Sequence, residues 1–326
     1  MRGRLGGGGL ALVITIESFG PVPNEIRGAF LAVGNFDGVH RGHAHLISRL
    51  RARADAAKAP ALALTFEPQP AMLLRPESAP APLSWTARKI ELLHEAGATE
   101  VGVFRTGAWL LGLTAREFFD RVVINQFAAR GMVEGPTFGF GRDRGGDAQH
   151  LARWCLEAGL EFEVASPTEI GGFIVSSSRI RKALHEGRAE EAALLLGRPY
   201  RLRGLVVRGA GRGAALGFPT ANLDAIDVQI PSDGVYAVLA RIEGDATPHP
   251  SAAHIGPNAT FGETKRSVEL HLIDFAGDLY GKTLEIDFVE RLRPSRAFAG
   301  KDELLRQIAE DVARAREILG ELGPAR

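Results

Sequence analysis

Gly34-Asn35-Phe36-Asp37-Gly38-Val39-His40-Arg41-Gly42-His43 follows the apolar run Phe30-Leu31-Ala32-Val33 and leads into Ala44-His45-Leu46-Ile47-Ser48-Arg49-Leu50. That order predicts a buried strand, a glycine-rich turn, and a helix with Leu46, Ile47 and Leu50 on one side. Glycines at 34, 38 and 42 let the backbone turn sharply and let a ligand come close. The N–H groups at the helix start point at whatever lies above the turn, which favours an anion. His40 and His43 flank that position, so both imidazoles can reach one phosphate. A lone histidine beside a glycine turn is ordinarily solvated. Two of them bracketing a glycine at a strand-to-helix junction point to phosphate chemistry.

Working outward, residues 30 to about 165 alternate apolar runs with amphipathic ones. Ala61-Leu62-Ala63-Leu64-Thr65-Phe66, Val101-Gly102-Val103-Phe104 and Gly131-Met132-Val133-Glu134 read as strands, with helical patterns around 86–96 and 114–128. Thr114 with Glu117 is a capping-box signature. The alternation predicts a parallel sheet covered by helices, with ligands at the carboxyl ends of the strands. Glu67-Pro68-Gln69-Pro70 forms a stiff loop after the second strand. The segment 135–146 reads as a flexible basic loop; its Gly139-Phe140-Gly141 is not a dinucleotide fingerprint, because Arg144 stands at the sixth position. Val175-Ser176-Ser177-Ser178-Arg179-Ile180-Arg181 precedes another helical pattern, so its hydroxyls can cap a helix or, with Arg181 one turn in, hold a phosphate.

After a helical stretch at 189–196 the pattern changes at Gly197-Arg198-Pro199-Tyr200. Period-two runs at 204–207, 235–242, 267–275 and 284–289, separated by Gly and Pro, predict an antiparallel barrel or sandwich. A closing helix at 302–319 places Leu304, Leu305, Ile308 and Val312 on one buried face. The domain boundary is set near Gly197, giving domains 1–197 and 198–326. Within the second, Gly209-Ala210-Gly211-Arg212-Gly213-Ala214-Ala215-Leu216-Gly217-Phe218-Pro219-Thr220-Ala221-Asn222 can wrap phosphates. Thr220 and Asn222 offer oxygen ligands of the kind magnesium takes. In Ser267-Val268-Glu269-Leu270-His271-Leu272, alternation sets Glu269 and His271 together on the polar face. Gly277-Asp278-Leu279-Tyr280-Gly281-Lys282-Thr283 imitates a phosphate-binding loop but has the wrong glycine spacing, and a strand-like run follows it; it reads as a hairpin turn.

Composition narrows the classes. The chain has 326 residues, 45% apolar and 24% charged, which is ordinary for a globular protein with room for two domains. Lys plus Arg and Asp plus Glu are both 39, so no basic field argues for nucleic acid. The single cysteine, Cys155, excludes an intramolecular disulfide and the usual zinc clusters. The apolar run at 10–16 is too short to span a bilayer, and no convincing cleavage site follows its basic, glycine-rich leader. A cytoplasmic protein without a membrane partner is expected; no oligomeric state is assigned.

Residues 34–43 resemble the HxGH signature of the nucleotidyltransferases, and Phe36-Asp37-Gly38 ahead of it is similar to the bifunctional riboflavin kinase/FAD synthetase family. Ser176-Ser177-Ser178 with Arg181 resembles that superfamily's second phosphate motif, and Gly217-Phe218-Pro219-Thr220-Ala221-Asn222 resembles the riboflavin kinase motif. The resemblance implies a Rossmann-like nucleotidyltransferase domain followed by an antiparallel barrel kinase domain with a closing helix. It implies phosphorylation of riboflavin to FMN, then adenylylation of FMN to FAD, with ATP as substrate and Mg2+ as cofactor. His40 and His43 are then catalytic. Gly34, Phe36, Asp37, Gly42, Ser177, Ser178 and Arg181 bind nucleotide in the first domain, and Gly211, Arg212, Gly217, Pro219 and Thr220 do so in the second. Thr137, Phe138 and Arg142 bind flavin, Thr220 and Asn222 hold the metal, and Glu269 is the kinase's base, with His271 as its competitor. Departures are Gln69 where the family has histidine, Thr137 where it has Asn or Asp, Ala214 where many members are basic, and Ala259 in 255–262 where it has proline. The departures at 69 and 137 raise a rival reading, a working kinase with a weakened adenylyltransferase. A non-catalytic flavin- or nucleotide-binding regulator is another.

Overall fold

The structure, a computed structural model, describes residues 13–209, 211–245, 247–257, 264 and 266–321, with the side chains of Arg212 and Ala215 left aside. By contact the chain forms two compact units, Met1–Pro80 with Trp85–Val175, and Ala81–Ser84 with Ser176–Arg326.

The first unit is built on six parallel strands: β1 (Val13–Ile16), β2 (Phe30–Val33), β3 (Ala61–Glu67), β4 (Glu100–Arg105), β5 (Gly131–Glu134) and, beyond the small pair β6 (Gly139–Phe140) and β7 (Gly146–Asp147), β8 (Glu161–Val164). Their order is β1-β4-β3-β2-β5-β8. The apolar run at 10–16 therefore ends in an edge strand, β1, paired with β4. Helices α1 (Arg41–Ala56), α2 (Pro70–Leu74), α3 (Thr86–Glu95), α4 (Ala108–Leu111), α5 (Ala115–Phe118) and α6 (Ala148–Ala158) connect and cover the sheet. Alternation along β2 sorts its four apolar residues between two cores. Leu31 and Val33 pack with Phe118, Phe119 and Val122, while Phe30 and Ala32 pack with Ile47, Leu50 and Leu93. A side chain as buried as Ile47 or Leu50 contributes about 1.5–3 kcal/mol. Both faces are covered, which is why these strands read as unbroken apolar runs.

The capping box predicted at Thr114 and Glu117 is present, and the helix it opens continues in π-helical geometry over Phe119–Gln126. The segment 135–146, expected to be a flexible loop, is instead a small hairpin of β6 and β7 around a turn. Gly141, at φ 74, lies so close under α5 that a Cβ there would sit 2.4 Å from the Ala115 nitrogen. Only glycine fits that approach.

In the second unit a small pair of helices, α7 (Ser177–His185) and α8 (Ala189–Leu196), precedes the barrel strands; the hairpin β9 (Glu169–Ile170) and β10 (Phe173–Ile174) closes the first unit. The barrel comprises β11 (Tyr200–Val207), β12 (Ala221–Asp224), β13 (Gly234–Ile242), β14 (Pro248–Pro257), β15 (Arg266–Leu272) and β16 (Thr283–Arg293), closed in the order β11-β12-β15-β14-β13-β16. Between β11 and β12 lies the short α9 (Arg212–Ala215), and α10 (Lys301–Glu321) follows β16. Helices α7 and α8 join this unit by contact. Leu184 O accepts from Ser232 N–H at 2.9 Å, and α8 packs on β11 and β16.

Two expectations change here. The segment 277–283 is not a hairpin turn: β15 pairs with β12 and β14, and β16 with β11 and β13, so it carries the chain between strands that are not neighbours. The strand that follows it still rules out a phosphate-binding loop. On α10 the tightest face is Asp311, Ala315, Ile318 and Leu319, while Leu304, Leu305, Ile308 and Val312 are half-buried. Leu304, Ile308 and Val312 border a cavity, and Val312 also packs against the core between α10 and the barrel.

Candidate functional site

In the first unit β2 and β5 flank the point where the chain order reverses: β3 and β4 continue on one side of β2, while β5 and β8 lie on the other. A crevice at the carboxyl ends of such strands is where open α/β sheets take ligands. The turn at 34–43 leaves β2 there. Phe36 and Val39 have φ 43 and 38. Such left-handed backbone costs of order 1–3 kcal/mol per residue and persists where the surroundings impose it, commonly at functional sites. His40 caps α1, its Nδ1 accepting from His43 N–H at 3.2 Å. In the neutral imidazole that acceptor role puts the proton on Nε2, leaving a donor on the far side of the ring. The two imidazoles stack, centroids 3.6 Å apart and 14° from parallel, and Phe36 sets its edge to His43 at 5.4 Å. Gly42 lies beneath, where a Cβ would press on the His40 ring at 3.2 Å.

Asp37 is 3% exposed. Gly34 N–H donates to Leu64 O at 3.0 Å, tying the turn to β3. Gln69 opens α2; it is 8% exposed, and its Nε2 has no hydrogen-bond partner among the described residues. A buried amide donor in that state suits a bound acceptor or water. On the β6–β7 hairpin Thr137 and Arg142 are exposed and Phe138 is half-buried, stacked on Phe140 at 5.3 Å. Phe140 in turn meets Trp154 edge-on at 6.2 Å. Cys155, on α6, is buried, and burial with the nearby Glu134 carboxyl pushes its thiol up to about 11, so it is not a nucleophile here.

Glu134 was not singled out from sequence. It ends β5 fully buried, and its Oε1 accepts from Val33 N–H at 2.7 Å, one residue before the turn. Burial holds its carboxyl well above the usual range, opposed only in part by that hydrogen bond. The folded chain thus keeps a proton that the unfolded chain releases. Above the ordinary value of 4.5 the folded state binds more protons, so stability declines as pH rises. Glu134→Gln keeps an acceptor for Val33 and has no proton to lose. Its melting temperature relative to wild type should climb as pH rises above that ordinary value. A difference that stays constant as pH rises contradicts a protonated Glu134.

Ser177, Ser178 and Arg181 lie in the second unit. The cap of α7 is Ser176, whose hydroxyl accepts from Arg179 N–H at 3.3 Å, so Ser177 and Ser178 are the first helical residues instead. Arg181 Nε donates to Ala81 O at 3.0 Å, and Arg179 pairs with Glu191.

The barrel carries a second site on its outer face. β12, β15 and β14 are adjacent, and their register sets Asn222, Glu269 and His254 in one row. Val268, Leu270 and Leu272 fill the other side of β15, as the alternation predicts. Helix α10 and the loop before β12 cover the polar face, so that one cavity is lined by Gly211, Thr220, Asn222, His254, Glu269 and His271, among others. Glu269 accepts from Ser267 Oγ at 3.2 Å. His271 Nδ1 lies 2.8 Å from Pro219 O, so it donates there and holds the loop that carries Thr220. A Cβ on Gly213 would fall 2.4 Å from Phe218 O and 2.9 Å from Thr220 Oγ1, so a side chain there would displace Thr220.

At the far wall Arg293 grips Asp311 of α10 through Nε and Nη2 at 2.7–3.0 Å, with Phe298 5.4 Å from its guanidinium. His254 donates to or accepts from Ser295 Oγ at 3.1 Å, and burial pushes its imidazole below its ordinary value, opposed by the Glu269 carboxylate. It is neutral near pH 7. His254, Arg293 and Asp311 escaped the sequence reading because strand register and helix docking bring them in. Only Asp311, polar on the buried face of α10, left a local sign. The side chain of Arg212 and the segment 258–262 lie outside the described residues.

Two family models match successive parts of the chain. The FAD synthetase family model matches residues 22–179, and the riboflavin kinase model matches residues 196–319. The bifunctional riboflavin kinase/FMN adenylyltransferase of Pseudomonas fluorescens is 39% identical over 90% of this chain and 94% of its own. That of Escherichia coli K12 is 35% identical over 97% of this chain and 100% of its own. A solved structure described as a macrolide-efflux protein from Streptococcus pneumoniae superposes with TM-score 0.82 at 30% identity, over 93% of this chain and 98% of that one. No helix among the described residues of the present chain is long and apolar enough to cross a membrane.

Proposed function

The chain belongs to the bifunctional riboflavin kinase/FMN adenylyltransferase family, and from that premise we propose how its residues divide the two reactions. It phosphorylates riboflavin to FMN and adenylylates FMN to FAD, with ATP as donor in both steps. The carrying observation is the end-to-end match to the Escherichia coli enzyme, 97% of one chain against 100% of the other. Nothing favours the weakened or the non-catalytic alternative.

In this reading residues 1–197 carry the adenylyltransferase and 198–326 the kinase. The FAD synthetase match ending at 179 and the riboflavin kinase match starting at 196 support it. In the kinase the riboflavin 5′-hydroxyl gives its proton to Glu269 as its oxygen bonds to the γ-phosphorus. The bond from that phosphorus to the β-phosphate oxygen breaks and ADP leaves. Thr220, held through its loop by His271, and Asn222 face the phosphates. Gly211, Arg212, Gly217 and Pro219 wrap them.

Thr220 and Asn222 offer neutral oxygens, and no cluster of three or more His, Cys, Asp or Glu side chains suited to a metal occurs among the described residues. They would suit a hard cation that is held in part by the ATP phosphates. We assign Mg2+ to that place, where Thr220 and Asn222 would hold it and it would neutralise phosphate charge.

In the adenylyltransferase a phosphate oxygen of FMN bonds to the α-phosphorus of a second ATP, the α–β anhydride bond breaks, and pyrophosphate leaves. No protein nucleophile takes part. His40, donating from Nε2, and His43 stabilise charge on the α-phosphate. Gly34, Phe36, Asp37 and Gly42 shape the turn, Ser177, Ser178 and Arg181 bind phosphate, and Thr137, Phe138 and Arg142 cover the flavin. A cytoplasmic location without a nucleic-acid or membrane partner belongs to the same proposal, and the equal counts of Lys plus Arg and Asp plus Glu support its nucleic-acid part. Two labels test the scheme. Label in the γ-phosphate of ATP should appear in FMN, and label in the α-phosphate only in FAD. α-Label that stays out of FAD would overturn the adenylyl step.

A further inference from the structure

Lys89 lies on α3, a helix that carries no residue of either proposed site, yet it is 1% exposed. A buried ammonium without compensation costs several kcal/mol, so its surroundings must supply charge. They do so from the site. Asp37 of the glycine turn and Glu67 at the end of β3 are carboxylates whose charge acts on it. Its Nζ reaches Thr65 Oγ1 at 3.5 Å, and Thr65 Oγ1 donates to Asn35 O at 3.2 Å. Thr86, at the start of the same helix, hydrogen-bonds Glu67. One side chain therefore joins the turn at 34–43, the end of β3 and the loop that begins at Glu67. Burial lowers its affinity for a proton while the two carboxylates raise it.

We propose that Lys89 is a positioning residue for adenylyl transfer, its buried ammonium fixing Asp37 and, through Thr65, the backbone of Asn35 so that the turn bearing His40 and His43 holds its shape. This rests on the adenylyltransferase reading of that turn. Loss of the ammonium loosens the geometry of the histidines without touching substrate. A misplacement of about 1 Å costs on the order of 10²-fold in rate, so a 10-fold to 10²-fold fall is expected.

The experiment compares Lys89→Met in two backgrounds, wild type and Asp37→Asn, using the full chain with FMN and ATP supplied and folding checked by thermal melting. Wild-type FAD formation tests the reading; the effect of Lys89→Met tests the proposal. In the wild-type background the variant should lose 10-fold to 10²-fold in kcat for FAD formation while FMN formation from riboflavin stays within about twofold. In the Asp37→Asn background the same change should cost less than about threefold, since the group through which Lys89 acts is already gone. KM for FMN and for ATP should stay within about threefold in Lys89→Met, because the residue touches neither substrate and acts on the chemical step. Equal losses in the two backgrounds, or a loss that falls on KM rather than kcat, overturn the proposal and leave Lys89 a core residue. Should Lys89→Met alone fold poorly, Asp37→Asn against the double variant still decides.

Discussion

Glu269→Gln should cut FMN formation by roughly 10²–10⁴-fold, the contribution of a well-placed general base, while leaving FMN-to-FAD conversion near the wild-type rate. The glutamine keeps the shape and can still accept from Ser267 Oγ, which lies 3.2 Å from Oε1 in the native chain. It cannot take the 5′-hydroxyl proton. Its row neighbours Asn222 and His254 are untouched, so flavin binding should survive. His271 competes for the role from sequence alone, since alternation sets it on the same strand face. Its Nδ1 is committed to Pro219 O at 2.8 Å, which makes it a holder of the loop. His271→Ala should therefore weaken ATP binding more than it slows the chemical step. Initial rates of FMN formation by the two variants decide. Near wild-type activity in Glu269→Gln removes Glu269 from the mechanism, and collapse confined to kcat in His271→Ala hands the role to His271.

His43→Ala should suppress FAD formation by about 10²–10³-fold, the usual loss when a group that stabilises transition-state charge is removed. FMN should then accumulate from riboflavin, because the kinase site is built from other strands. The backbone N–H of residue 43 still reaches His40 Nδ1, so the cap of α1 remains, while the ring stacked on His40 at 3.6 Å is gone. Separate assays with riboflavin and with FMN read the two activities from one preparation. Equal loss of both in a folded variant contradicts the assignment of His43 to the adenylyl step alone.

Local signals carried much of this structure. The strand, turn and helix around residues 30–50, the capping box at Thr114, and the helix Ala189–Leu196 all follow from periodicity and caps, which depend on neighbours in sequence. Alternation predicts the antiparallel strands of a barrel or a sandwich, but neither the closure of the barrel nor its strand order follows from it. Nothing local says that β15 lies beside β12 and β14 rather than β16, so the 277–283 connection reads as a hairpin from sequence alone. The site divides the same way. Glu269, Thr220 and Asn222 stand in stretches that announce themselves, whereas His254 enters through cross-strand register and Arg293 through its grip on α10. Glu134 and Lys89 looked like ordinary polar residues at the end of a strand and on a helix. Their burial, and hence their chemistry, exists only after the sheet and helices have packed.

The central claim is that one chain makes FMN and then consumes it. Riboflavin incubated with the protein, ATP and Mg2+, with flavins separated by chromatography over time, tests it most directly. FMN should rise first and then decline as FAD appears, with the total of the three flavins constant. No FMN, or FMN that accumulates without any conversion to FAD in the presence of excess ATP, contradicts it.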